Sequence, residues 1–156
     1  MVALLVFLIG YNLLLLSITH AQKQVALSNF DELHSNLEVV CLQEINNSMI
    51  FNLQVPTSVR VLFATDIERI ENDIEEKIEN GELSFGKKLC MQFRGEEFLR
   101  CEKLTCNVTI PYMGVVQEFG DIEIVVKKIL GEAPVKDYKL FLRKVSGNEV
   151  RVELVE

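Results

Sequence analysis

From Leu37 onward, apolar and polar residues alternate in short runs. A two-residue period of this kind marks strands with one buried face. Leu37–Cys41 is the first such run, followed by Met49–Val55, which Pro56 ends. Val59–Phe63 places Val59, Val61 and Phe63 on one face. Leu83–Phe93 and Glu97–Cys101 flank a turn at Gly95. Cys106–Ile110 points Val108 and Ile110 inward and Asn107 outward, and Pro111 closes it. Asp121–Lys128 has the clearest alternation, with Ile122, Ile124 and Val126 together. Tyr138–Arg143 and Val150–Leu154 form a hairpin about Ser146-Gly147-Asn148.

The period changes once, between Thr65 and Gly81. Ile67, Ile70, Ile74 and Ile78 fall three, four and four residues apart, which is one stripe of a helix. Thr65 with Glu68 forms a capping box, and Gly81 supplies the stop. Glu71, Glu75 and Glu79 are like-charged neighbours along this helix, so it depends on packing its isoleucines. About eight short strands with regular turns predict an antiparallel two-sheet β-sandwich carrying one short amphipathic helix. An α+β arrangement, with the helix packed on an antiparallel sheet, is the alternative.

The start of the chain follows a different rule. Val2–Ile18 is apolar apart from Tyr11, Asn12 and Ser17, no charge precedes Lys23, and Thr19-His20-Ala21 closes the run. That layout predicts a signal peptide over residues 1–21, cleaved after Ala21, although its first residues lack a basic side chain. A retained anchor is the rival reading, and the run is borderline for the roughly 17–25 residues that spanning requires. Residues 22–36 read as a polar arm and 37–156 as a single β-rich domain. The expected product is secreted and extracellular, with no stable membrane insertion once the leader is gone.

Charge narrows the partners. The formal net charge is −7, which disfavours phosphate backbones, so nucleic acid is not expected. Cys41, Cys90, Cys101 and Cys106 make an even set, and a secreted domain of this size turns such a set into two disulfides. Three pairings exist. The preferred one joins Cys90 to Cys101 across a short hairpin and leaves Cys41 with Cys106. Zinc would want two close Cys-x-x-Cys-type pairs, and only Cys101-x4-Cys106 comes near, so no metal site is expected. Asn46-Asn47-Ser48 and Asn107-Val108-Thr109 are N-glycosylation sequons, and each asparagine must face solvent to be used.

The catalytic inventory is thin. His34 is the one histidine after residue 21, and no nucleophile motif, metalloprotease motif or phosphate-binding loop occurs. No enzymatic activity and no cofactor are expected, so function should lie in binding. A sandwich whose sheets splay would hold a lipid or sterol, since burying an acyl chain gains about 0.8 kcal/mol per methylene. The same aliphatics would equally fill a closed core. The chain would then be a secreted protein-binding module, such as an inhibitor, a receptor ligand or an effector.

Three features carry a family resemblance. A leader precedes a strand-rich domain, and Cys90 and Cys101 flank a short loop. Thr105-Cys106-Asn107-Val108-Thr109-Ile110-Pro111 is then followed by Glu118-Phe119-Gly120-Asp121-Ile122-Glu123-Ile124-Val125-Val126. Over Val59–Leu130 the chain resembles the ML family of secreted lipid-recognition domains, which includes the Niemann–Pick type C cholesterol carrier and the endotoxin co-receptors. The family's cysteine in its final strand has no counterpart in Val150–Glu156. The resemblance implies an immunoglobulin-like sandwich with a lipid or sterol between its sheets. Phe51, Val61, Phe63, Val108, Ile110, Ile122, Ile124 and Val126 would be the wall.

Overall fold

The structure, a computed structural model, describes residues 2–70, 72–116 and 135–155. Helix α1 spans Val2–Leu42, and strands β1 (Ser48–Pro56) and β2 (Val59–Thr65) follow. A short helix α2 (Ile74–Glu79) leads to β3 (Leu83–Phe93), β4 (Leu99–Pro111), β5 (Val135–Ser146) and β6 (Glu149–Leu154). The fold is mainly β, but among the described residues the strands form one six-stranded sheet in the order β1-β5-β6-β4-β3-β2. This corrects the expected two-sheet sandwich. The sheet is mixed, since β4 and β6 pair in parallel and every other neighbouring pair is antiparallel.

A helix replaces the second sheet. Ala26, Phe30, Leu33, Leu37 and Val40 are buried, spaced four, three, four and three along α1. That spacing is a helical stripe. The polar arm expected over residues 22–36 and the strand expected over Leu37–Cys41 are therefore one helix. Leu37 and Cys41 match both periods, and a run this short cannot distinguish them. Length decides, because the stripe reaches back to Ala26. Val39 is 46% exposed, as the helical face requires and the strand face does not.

The strand order has a geometric consequence. Four antiparallel steps and one parallel step give the edge strands β1 and β2 the same sense across the sheet. Yet only Thr57 and Ser58 separate them in sequence. A flat sheet could not satisfy both facts. Strand twist of about 20–25° per step accumulates across six strands and coils the sheet until diagonal corners meet. Leu53 and Val55 of β1 and Val59 and Leu62 of β2 accordingly line one small void together with Ala26 and Phe30 of α1. Tyr112–Gly114 closes the seam. Leu62 and Met113 exchange backbone hydrogen bonds at 2.7 and 3.0 Å, and Tyr138 Oη donates to the Gly114 carbonyl at 2.7 Å. Gly114 is required here, because a Cβ would lie 2.4 Å from the Arg60 carbonyl oxygen.

Two details of the strands depart from simple alternation. A register shift between Val59 and Val61 pairs them with the adjacent residues Phe93 and Gln92. This bulge flips the faces, so Val59 joins the α1 side while Val61 and Phe63 lie on the other. The expected common face of these three residues is thereby corrected. The segments 97–101 and 106–110 belong to the single strand β4, whose partnering slips against β3 between Gly86 and Lys88.

The expected helix over Thr65–Gly81 shortens to Ile74–Glu79. Thr65 ends β2, and its hydroxyl bonds the Ile67 backbone instead of a helical amide. Asp66 meanwhile accepts from the Lys87 amide at 2.8 Å. The C-terminal stop is as expected. Gly81 has φ of +63° and donates to Ile78, while Glu82 donates to Lys77, the paired bonds of a Schellman motif. Ile74 and Ile78 pack with Val61, Phe63 and Cys90 on the outer face of the sheet.

Candidate binding surface

The residues expected to line one cavity are divided by the sheet. Phe51, Val108 and Ile110 are buried among the residues that surround α1. Val61 and Phe63 are buried on the opposite face, beneath α2. Ile122, Ile124 and Val126, with the strand expected over Asp121–Lys128, lie outside the described residues. The coiled sheet does have a concave side, and Phe30, Leu33 and Leu37 occupy it, each 0% exposed. The void beside Phe30, Leu53, Val59 and Met91 holds about 10 Å³, room for at most one water.

Polar side chains fix the helix in that groove. Arg100 pairs with Asp31 at 2.6 Å, and Glu38 accepts from the Thr105 amide at 2.8 Å. His34 Nε2 donates to the Lys103 carbonyl at 2.9 Å. Near its C-terminus, buried Lys144 of β5 donates to the Cys41 carbonyl at 2.6 Å. The Cys41–Cys106 disulfide joins the same turn to β4, and Cys90–Cys101 links facing residues of β3 and β4. Both expected pairings are present. They fit an oxidising, extracellular-type environment.

On the outer face a second polar group joins α2 to the sheet. Arg60 grips Glu75 through Nε and Nη2, at 2.9 and 3.4 Å, and reaches Gln92 at 3.2 Å. The bond from Arg60 holds the Glu75 carboxyl below its usual range. Arg94 donates to the carbonyls of Thr57 and Val115, tying the β1–β2 turn to the seam, and burial lowers its pKa. Burial likewise pushes the Tyr112 phenol up, where its ring stacks on Phe63. Each of these groups is engaged in holding elements together. Among the described residues no three His, Cys, Asp or Glu side chains gather as metal ligands do.

A wider opening than this void lies on the surface. β4 and β6 pair only over Asn107–Thr109 and Glu149–Arg151, and then diverge. An open groove of about 460 Å³ lies between them, lined by Gly81, Leu83, Pro111 and Arg151–Leu154. Leu83 and Leu154 are 60% and 47% exposed, and Phe85, two residues from Leu83, is 52% exposed. Arg151 and Glu153 bring opposite charges to its wall. Sequence pattern gave no sign of this groove, because it arises where two strands distant in sequence stop pairing.

The two sequons differ in setting. Asn46 is exposed in the turn before β1, with φ of +75°. Asn107 sits within β4 beside Glu149 and is only half-exposed. Helix α1 also runs without interruption through the segment expected to be a leader. Gln22 is its first buried residue among those described, while Val6, Ile9, Leu13 and Leu16 are exposed.

No family model, curated protein or solved structure matches this chain.

Proposed function

We propose that the chain is a secreted, non-enzymatic protein-binding module with a closed core, acting through the groove between β4 and β6. The observation that carries this reading is the packing of α1. Phe30, Leu33 and Leu37 take the concave side of the sheet, where a lipid or sterol would otherwise lie. A void of about 10 Å³ beside them is far below what an acyl chain occupies. Expelling α1 to admit one would expose its buried side chains, at roughly 1.5–3 kcal/mol each.

The groove supplies what a protein partner uses. Leu83, Phe85 and Leu154 present apolar surface, flanked by Arg151 and Glu153. Apolar side chains with charged neighbours resemble the core-and-rim layout of protein interfaces. Catalysis is given little to work with, since His34 is bonded to a carbonyl and all four cysteines are in disulfides.

The test takes the chain purified from a secreting host. Mass spectrometry of an organic extract should find no lipid in stoichiometric amount. Affinity capture from extracellular fluid should return a partner that the doubly substituted Leu83→Glu, Leu154→Glu chain fails to hold. One lipid per chain in the extract, or a partner indifferent to both substitutions, would overturn the proposal.

A further inference from the structure

The edge strand β1 points to an interaction that the groove does not explain. β1 pairs with β5 along all nine residues from Ser48 to Pro56, with no register shift. It contains no Asp, Glu, Lys or Arg. Natural edges are usually blunted by charge, bulges or short length, because unpaired amides and carbonyls template another strand. Pro56, at the far end, is the sole such device in β1. At the opposite edge, β2 is bridged by Met113.

The hydrogen-bonding parity shows which groups are free. In an antiparallel strand the N–H and C=O of one residue point to the same edge, and alternate residues alternate edges. The Lys139 carbonyl accepts from Val155, so Lys139 of β5 faces away from β1. Its partner Asn52 therefore faces away from β5, as do Ser48, Ile50 and Gln54. Asn29 confirms this independently, because its Nδ2 reaches the Gln54 carbonyl from outside the ladder at 2.7 Å. No such partner meets the backbone of Ser48, Ile50 or Asn52 among the described residues. The Ile50 side chain is 59% exposed on the outer face.

We infer that a second copy of this chain pairs with β1, antiparallel, about a two-fold axis at Ile50. Each Ile50 then faces its counterpart, and each Ser48 faces the other copy's Asn52. Roughly six backbone hydrogen bonds form. The Asn29–Gln54 bond lies beyond this stretch and is retained. Self-pairing suits the charge distribution as well. The whole chain carries −7, and β1 brings two copies together with no charged side chain at the contact. The two-fold axis makes the pairing isologous, so it closes as a dimer and does not propagate into a fibre.

Sedimentation of the purified chain, freed of any N-glycan, tests the pairing. A reversible monomer–dimer equilibrium is expected in the micromolar range. Ile50→Lys places like charges across the axis and should weaken association at least about ten-fold, while unfolding at the same temperature as the wild type. Should that variant fail to fold, the doubly substituted Ser48→Glu, Asn52→Glu chain places like charges across both flanking pairs. Amide exchange at Ile50 and Asn52 should slow as concentration rises. A monomer throughout, or a dimer whose affinity and amide protection ignore these substitutions, would rule the inference out. Neither outcome bears on the groove between β4 and β6, so the two proposals stand or fall separately.

Discussion

Lys144 Nζ donates to the carbonyl oxygen of Cys41 at 2.6 Å, across 103 residues of sequence. Lys144 is 2% exposed and points to the concave side of the sheet, in line with Leu140 and Leu142. Its cation meets the negative end of α1, where final carbonyls lack partners within the helix. This explains why an otherwise apolar row ends in a lysine. Lys144→Ala should destabilise the fold by about 2–4 kcal/mol, through an orphaned carbonyl and lost packing. Lys144→Met should cost less, since it keeps the stem. Urea unfolding of both variants gives the comparison.

The helical assignment of residues 22–42 makes a sharp distinction between neighbours. Leu37→Ala should cost about 2–5 kcal/mol, because the side chain is fully buried against the sheet. Val39→Ala should cost under about 0.5 kcal/mol, because it faces solvent. A strand in this place would make the two changes comparable. Thermal or denaturant unfolding distinguishes the cases.

Removing residues 1–21 should leave stability nearly unchanged, since Gln22 is the first buried residue of α1 among those described. Removing residues 1–33 should abolish cooperative unfolding, since Ala26, Phe30 and Leu33 go with them. Calorimetry of both shortened chains tests the boundary. Amino-terminal sequencing of the chain recovered from the medium of a secreting host should begin at Gln22.

The disulfides should differ in weight. Cys41–Cys106 spans 65 residues and Cys90–Cys101 spans 11. On loop entropy alone the first contributes about 4 kcal/mol and the second about 3 kcal/mol. Paired Cys→Ala variants, compared by denaturant midpoint, should preserve that order. Peptide mapping without reductant should recover both linkages.

Acid should loosen α2 before the rest of the fold. The folded-state pKa of Glu75 lies below its unfolded value because Arg60 bonds the charged form. Its stabilisation is therefore full above about pH 4.3 and is lost as pH falls through the folded pKa. The pair is partly solvent-exposed, so Glu75→Gln should cost only about 0.5 kcal/mol at neutral pH. The difference between variant and wild type should vanish in acid, as read from unfolding curves across pH.

The sequence by itself determined the β-rich core, most strand positions and the Gly81 stop, and it favoured, among three disulfide pairings, the one the structure contains. These follow from local alternation, turn chemistry and the presence of only four cysteines. The same chain contained the stripe Ala26, Phe30, Leu33, Leu37 and Val40, legible in retrospect as a helix. Leu37 and Cys41 also share one face of a strand, and a few residues at either period are ambiguous. Tertiary structure alone decided the rest. A single sheet coils because β1 and β2 share a sense yet are joined by two residues, and the bulge at Val59–Val61 sends neighbouring valines to opposite faces. The groove between β4 and β6 and the partner of Lys144 depend on residues far apart in sequence. Local periodicity fixes which way a side chain points along its own strand, but the element it then meets is set only when the sheet closes around the helix.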